Sequence, residues 1–287
     1  MTELEVVEHP IRIRLRTSMR TVTEWDGVLL EGPAGWGESS LVPDYACPPE
    51  YSRLAAVEGA TIEWPAAVRT SIPVNALVAD GPFDPASVAG FSCVKVKVGY
   101  DGDVERVAEV RDAIGPHVAL RVDANGVWDL DTAVAKLRAM AKYDLEFAEQ
   151  PVESLADLAR LHSRVDVPLA ADECIASLND VCTLARRDAA DLLVIKVQRC
   201  GGVRPAMAWA EAADMPVVVT SMLETSVGLA AGVALAAALP ELPYACGLAT
   251  ASFLVDDVTP DPLVPVDGAI TVRTVVPDAE RLARLAR

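Results

Sequence analysis

Seven short apolar runs in this chain end, at nearly equal intervals, on residues that would be out of place in a core. The residues are Lys97, Asp123, Glu149, Asp172, Lys196, Ser221 and Gly247, separated by 26, 26, 23, 24, 25 and 26 positions. The runs that carry them, 94–98, 120–123, 145–149, 169–172, 192–197, 216–221 and 244–247, are rich in Val, Leu, Ile and Ala. Short β-branched and apolar runs bounded by polar residues read as buried strands. The interval fits one strand, one crossover helix and two turns, so the strands are parallel. Seven strand ends in one phase should then face one side, the C-terminal face on which βα-loops build active sites.

The intervening segments support this reading. Val104, Val107, Ala108 and Arg111 follow Asp103 and stop at Gly115, and Ala133, Val134, Leu137, Met140 and Ala141 follow Asp131 with helical period. Ser154-x-x-Asp157 and Ser177-x-x-Asp180 are helix starts, with a side-chain oxygen able to accept from an orphan amide. With an earlier strand at 75–79, about eight units fill residues 73–250. That predicts an α/β chain with a (β/α)8-type barrel rather than an open doubly wound sheet. No GxGxxG or GxxxxGK[ST] opens a helix, and Gly201-Gly202 is too short for a phosphate loop.

Residues 1–72 read differently. Ile11-Arg-Ile-Arg-Leu15 alternates like a half-exposed strand, and 25–30 and Gly35-Trp-Gly-Glu38 suggest antiparallel partners followed by a helix near 48–58. The Asp-, Pro- and Val-rich residues 251–287 are expected to return onto this module. The predicted division is therefore an α+β capping domain of residues 1–72 plus 251–287, and a barrel domain of residues 73–250.

Composition narrows the function classes. Lys and Arg total 25 against 42 Asp and Glu, a net charge of −17, which argues against nucleic acid or an anionic membrane as partner. The longest nearly apolar run, 227–239, is 13 residues and too short to span a bilayer, and the acidic start MTELEVVEHP is unlike a signal peptide. Six cysteines without a CxxC pair read as reduced thiols, so the expected location is cytoplasmic. Only His9, His117 and His162 are present, the last two in helix-flanking loops, so a His-rich metal site has no material. Trp128 and Trp209 read as packing residues, the 230–238 stretch as a buried barrel helix, and Arg281, Arg284 and Arg287 as a solvated face.

The strand-end charges carry the chemistry. Three carboxylates on one low-dielectric face raise each other's pKa unless a cation joins them. Oxygen donors without His or Cys favour Mg²⁺ over Zn²⁺. Lys97 and Lys196 flank the carboxylates in strand order and should lie on opposite sides of the ion. Lys95 points the same way as Lys97, and its charge is expected to help keep Lys97 partly neutral and able to take a proton.

These residues and motifs resemble the enolase superfamily, in its muconate-lactonising branch. The motifs are Gly35-Trp-Gly-Glu38, Lys95-Val-Lys97, Arg121-Val-Asp123-Ala-Asn125, Glu149-Gln-Pro151, Ala171-Asp172-Glu173 and Lys196-Val-Gln-Arg-Cys-Gly-Gly202, spread over nearly the whole chain. The resemblance implies the modified (β/α)7β barrel, with Asp123, Glu149 and Asp172 holding Mg²⁺ (Mn²⁺ an acceptable substitute) and Lys97 and Lys196 as catalytic residues. It implies Arg121, Asn125 and Glu173 as groups that orient the metal ligands. The short cap, a small lid in 19–27, and the 220–228 and 247–250 segments look most like actinobacterial dehydratases of this branch. They imply loss of water from a succinyl-bearing hydroxycyclohexadiene carboxylate in menaquinone synthesis. Backbone amides around Ser221 and Met222 and near Gly247 would receive the succinyl carboxylate. The same two lysines also suit an N-acylamino-acid racemase or a cycloisomerase. The expected partner is a small-molecule carboxylate, and no protein partner is implied.

Overall fold

A computed structural model describes residues 6–19, 22–40, 42, 47–79 and 81–287; the side chains of 17–19 are not described. The expected lid includes residues 20 and 21, which lie outside the described residues.

The chain opens with a three-stranded antiparallel sheet, β1 (Val7–Met19), β2 (Val22–Gly32) and β3 (Gly35–Ser40), followed by α1 (Pro49–Thr61). Ile11, Ile13 and Trp25 point into the core while Arg12 and Glu24 stay outside, the alternation of a sheet with one wet face. A Cβ built on Gly37 would collide with the Ala56 carbonyl, so β3 and α1 touch backbone to backbone. A short strand, β4 (Ser71–Pro73), then leads into the barrel.

The barrel strands are β5 (Ala76–Val78), β6 (Cys93–Lys97), β7 (Ala119–Asp123), β8 (Leu145–Glu149), β9 (Leu169–Ala171), β10 (Leu192–Lys196) and β11 (Val217–Thr220). They form one parallel sheet in sequence order. The eighth stave is only a pair of parallel bridges, Val74 to Cys246 and Thr220 to Gly247, and these close the ring. Helices α2 (Asp103–Ile114), α3 (Leu130–Met140), α4 (Leu155–His162), α5 (Leu178–Arg187), α6 (Val197–Cys200), α7 (Val203–Ala213) and α8 (Ser226–Ala238) follow their strands. Asp129, Ser154 and Ser177 cap α3, α4 and α5, each accepting from the amide three residues on. On α3, Ala133, Val134, Leu137 and Met140 face the sheet.

Side-chain parity decides what points inward. Phe147, Ala170, Leu192, Val194 and Val218 form a small core inside the ring, separate from the large core between sheet and helices. Two residues beyond Phe147, Ala170, Val194 and Val218 stand Glu149, Asp172, Lys196 and Thr220. Period-two alternation therefore carries the interior column from a greasy floor to a charged top.

The C-terminal segment returns as expected. β12 (Ala269–Thr271) pairs with β4, Ala286 bridges Ile11, and α9 (Ala279–Leu285) packs on β1. Of the three arginines read as a solvated face, Arg284 and Arg287 are exposed and Arg281 is half-buried, and all three are ion-paired: Arg281 and Arg284 to Asp256 at 2.5 and 2.6 Å, and Arg287 to Asp26 at 3.2 Å. All six cysteines are free thiols, and among the described residues no helix is long and apolar enough to cross a membrane. Trp128 and Trp209 are buried and His117 is exposed, as expected.

Candidate active site

The tops of β6 to β10 deliver the five strand-end charges to one place. Lys97 Nζ donates to Asp123 Oδ2 at 2.6 Å and to Asn125 Oδ1 at 2.8 Å. Lys196 Nζ donates to Asp172, and Arg199 Nη1 donates to the other oxygen of Asp172 at 3.0 Å. Lys95 Nζ donates to both oxygens of Glu149 at 2.9 Å and lies 3.1 Å from Asp123. Its partners are carboxylates, and it shares Asp123 Oδ2 with Lys97, so the two ammoniums are neighbours across one oxygen. The three carboxylates are at most 2% exposed, whereas 28% of the Lys97 side chain is open.

Electrostatics follow from this packing. Burial alone would raise Asp123, but the ammoniums of Lys97 and Lys95 outweigh it and hold the group below the usual range. Asp172 is likewise held down, by Lys196 and Arg199 acting against its burial. Glu149 goes the other way: burial and Asp123, with a further push from Asp172, raise it to about 7 despite Lys95. Burial raises Glu173 as well, with Asp172 adding to it.

Asn125 links these groups. It adopts a left-handed backbone (φ 48°), accepts from Lys97, and donates from Nδ2 to Glu173 Oε1 at 2.9 Å. Two groups that sequence reasoning did not single out shape the turn after β9. Gln150 Oε1 accepts from the amides of Asp172 and Cys174 at 2.7 and 3.3 Å, and Arg199 Nη2 donates to the carbonyl of Ile175 at 2.7 Å. Their sequence signal was membership of the Glu149-Gln-Pro151 and Lys196-Val-Gln-Arg-Cys-Gly-Gly202 motifs, in which neither was given a role.

Arg121 stands apart from the site. The register of β7 on β8 slips between Leu120↔Leu145 and Arg121↔Phe147, which leaves Glu146 out of the ladder. Arg121 Nε donates to that carboxylate at 2.6 Å, Nη1 donates to the Ala245 carbonyl at 2.7 Å, and the guanidinium lies 4.5 Å from the centre of the Phe147 ring. It is a floor residue one layer below Asp123, not an arm of the carboxylate cluster.

A cavity of about 780 Å³ lies over the charges. Lys97, Lys196, Asp123 and Asn125 line one side, Thr220, Ser221, Gly247 and Thr250 the other, and Leu77, Phe91, Val98 and Phe253 give it an apolar wall. The backbone amides expected to receive a carboxylate are already engaged. Ser221 N donates to the Gly247 carbonyl at 3.0 Å, Gly247 N to Val219 at 2.9 Å, and Met222 N to Glu224 Oε1 at 3.2 Å. Closing the ring with so short an eighth stave uses the first two, and Glu224 takes the third. Among the hydroxyls, Ser221 Oγ donates to the Gly247 carbonyl at 2.9 Å and lies 2.8 Å from Thr250 Oγ1, whereas the buried Thr220 Oγ1 has no hydrogen-bond partner among the described residues.

The geometry matches known proteins. Residues 84–278 fit the family model described as enolase C-terminal domain-like, and residues 10–58 fit the one described as enolase N-terminal domain-like. The chain belongs to the enolase superfamily. It is 50% identical to the o-succinylbenzoate synthase of Thermobifida fusca, over 95% of this chain and 89% of that one. It is 43% identical to the o-succinylbenzoate synthase of Mycolicibacterium smegmatis, over 100% and 90%. Its family within the superfamily is that of the o-succinylbenzoate synthases. Among solved structures, muconate lactonizing enzyme from Pseudomonas fluorescens superimposes with a TM-score of 0.86 at 22% identity over 99% of both chains. N-succinyl Arg/Lys racemase from Bacillus cereus gives 0.86 at 20% identity over 98% and 97%. At that identity the likeness concerns the fold.

Enzymes of this superfamily use a divalent metal ion. Asp123, Glu149 and Asp172 offer only hard oxygen donors, are buried close enough that burial and then mutual repulsion raise Glu149, and neighbour a buried Glu173 Oε2 with no hydrogen-bond partner among the described residues. That donor set fits such an ion. Each carboxylate is here turned onto a cationic side chain, and among the described residues no three His, Cys, Asp or Glu side chains form a ready-made chelate.

Proposed function

We propose that this chain catalyses the Mg²⁺-dependent syn-dehydration of 2-succinyl-6-hydroxy-2,4-cyclohexadiene-1-carboxylate to 2-succinylbenzoate, a step of menaquinone synthesis. The observation that carries the reading is the pairing of Lys97 and Lys196 with a buried Asp, Glu, Asp set along one side of the cavity. The residues divide between residues 73–250, which hold the chemistry, and a cap built from residues 1–72 and 251–287.

Asp123, Glu149 and Asp172 would hold the ion, with Mn²⁺ able to replace Mg²⁺. When bound, the ion supplies positive charge to the substrate's carboxylate, where negative charge grows as the neighbouring carbon loses its proton. Lys97 is the more accessible ammonium of the pair and acts, once neutral, as the base. The C–H bond breaks and its proton goes to Lys97 Nζ. The electron pair moves into the ring, the C–O bond breaks, and Lys97 returns the proton to the departing hydroxyl on the same face as water. Lys97 is then neutral again and the ring is aromatic. Lys196, held by Asp172, stays a cation beside the developing negative charge. Asn125 and Glu173 orient Lys97 and the turn after β9. The hydroxyls of Thr220, Ser221 and Thr250 take the succinyl end, in place of the occupied amides.

The test is ultraviolet absorbance. Purified protein, Mg²⁺ and the cyclohexadiene acid should give the aromatic product within seconds, and EDTA should abolish the reaction until Mg²⁺ or Mn²⁺ is restored. No aromatic product, with solvent deuterium entering the α-carbon of an N-acylamino acid instead, would move the assignment to racemisation.

A further inference from the structure

The Gly35-Trp-Gly-Glu38 motif lies in the cap, yet its carboxylate is spent on the barrel. Glu38 is 3% exposed. Its Oε1 accepts from the Thr225 amide at 3.1 Å, and its Oε2 accepts from the Thr225 hydroxyl and from the Gly228 amide at 2.9 Å. These donors are the cap position and first turn of α8, whose amides have no helical partner. Thr225 Oγ1 in turn accepts from Val227 N at 3.2 Å, so the helix start is tied to the cap through one hydroxyl.

The preceding turn, 221–225, is held from the same side. The Leu223 carbonyl accepts from Trp25 Nε1 at 2.8 Å and from Ser40 Oγ at 2.9 Å, both on cap strands. Gly228 leaves room for this arrangement: a Cβ there would sit 2.7 Å from Glu38 Oε1 and from Glu224 Cβ. Glu224 reaches back to the Met222 amide. The wall that Thr220, Ser221 and Met222 present to the cavity is therefore followed at once by a turn whose carbonyl, amide and hydroxyl groups find partners in the cap. Burial pushes the Glu38 carboxyl well above the ordinary range, and Glu224 adds to it, while the bonds from Thr225 and Gly228 act the other way.

We propose that Glu38 is a positioning residue for the substrate's tail. With Trp25 and Ser40 it fixes the turn after β11, and through that turn the placement of the Thr220, Ser221 and Met222 wall. It touches neither the carboxylate cluster nor the lysines through any bond described above, so its effect falls on fit rather than on proton transfer. The inference rests on the reading that this wall receives the succinyl end.

The experiment combines kinetics with a signal that needs no substrate. In Glu38→Ala and Thr225→Ala, KM for the cyclohexadiene acid should rise about fivefold, the change that matches one lost helix cap, while kcat stays within about twofold. Thr225→Ser keeps the hydroxyl and should restore KM. The indole N–H resonance of Trp25, assigned by its loss in Trp25→Phe, should move in both alanine variants and return in Thr225→Ser. Should Glu38→Ala not fold, Thr225→Ala and Ser40→Ala carry the test. A fall in kcat with KM unchanged, or a lowered melting temperature with both kinetic constants and the indole resonance unmoved, overturns the proposal. If the unaltered chain fails to dehydrate the acid, the functional reading falls. An unmoved Trp25 resonance in Glu38→Ala and Thr225→Ala would then sink the positioning role on its own terms.

Discussion

The two sides of the cavity are built on different terms. From β6 to β10 each strand contributes a charged side chain, and each charge is met by another within the ring, as Lys97 meets Asp123 and Lys196 meets Asp172. On β11 and the short eighth stave the cavity is lined by hydroxyls and glycine, and the bonds that hold the wall reach out to the cap. The charged half is held by opposite charges at close range, and beyond Lys196 it is also tied to the cap, where Gln198 Nε2 donates to the Glu38 carbonyl at 2.8 Å and Glu58 accepts from the amides of Val203 and Arg204. The neutral half is closed by hydrogen bonds at Ser221, Gly247 and Thr250, and the turn that follows it is tied to the cap. Chemistry and fit are thereby assigned to separate halves of one ring.

The largest effects should fall on the charged half. Lys97→Ala or Lys196→Ala should lower kcat/KM by about 10³-fold or more, the loss expected for a base or a charge partner of the transition state. Thr220→Val should lower it by about tenfold, mainly through KM. Steady-state assays of the three variants break the contrast if Thr220→Val costs as much as a lysine. Below the site, Arg121→Met removes a buried guanidinium from Glu146, the Ala245 carbonyl and Phe147. Urea unfolding should show a loss of about 3 kcal/mol.

A pH slope tests the buried carboxyl behind the neutral wall. Burial raises Glu224 to about 7 from a model-peptide value of 4.5, so the folded chain holds this proton more tightly than the unfolded one. Its contribution to stability is complete below about pH 4.5 and is lost as pH rises toward 7. Urea midpoints at pH 5 and pH 8 should therefore differ less in Glu224→Gln than in the unaltered chain, by the equivalent of roughly 2 kcal/mol. Equal slopes in both proteins would show that Glu224 does not titrate in this window.

The same division explains what was legible in the sequence. Lys97, Asp123, Glu149 and Lys196 stand out because a charge at the end of an apolar run violates the hydrophobic pattern, and the violations recur with the period of the barrel. Asp172 was found the same way, although its strand stops one residue earlier, where the Gln150 side chain takes over its amide. Glu38, Glu224 and Gln150 violate nothing locally. A glutamate beside a glycine or in a loop reads as ordinary surface, and its burial comes from elements far away in sequence. The amides of Ser221, Met222 and Gly247 themselves are hydrogen-bonded in the fold, the first and last across the ring and that of Met222 to Glu224 two residues on, which the hydrophobic pattern does not mark. Arg121 was misplaced by one layer. The resemblance assigned it to the metal ligands, and the bulge that lifts Glu146 beside it leaves no trace in the hydrophobic pattern.

The pairing of β4 with β12, Ser71 against Thr271, also bears on synthesis at the ribosome. The N-terminal sheet emerges early, yet its partners at Leu254 and Ala286 and the strand opposite Ile72 are translated last. Throughout elongation the nascent cap carries an open sheet edge and the unmatched apolar faces of Ile11 and Ile13. Until residues 254–286 are made, β1 and β4 lack the strand and bridges they pair with in the folded chain.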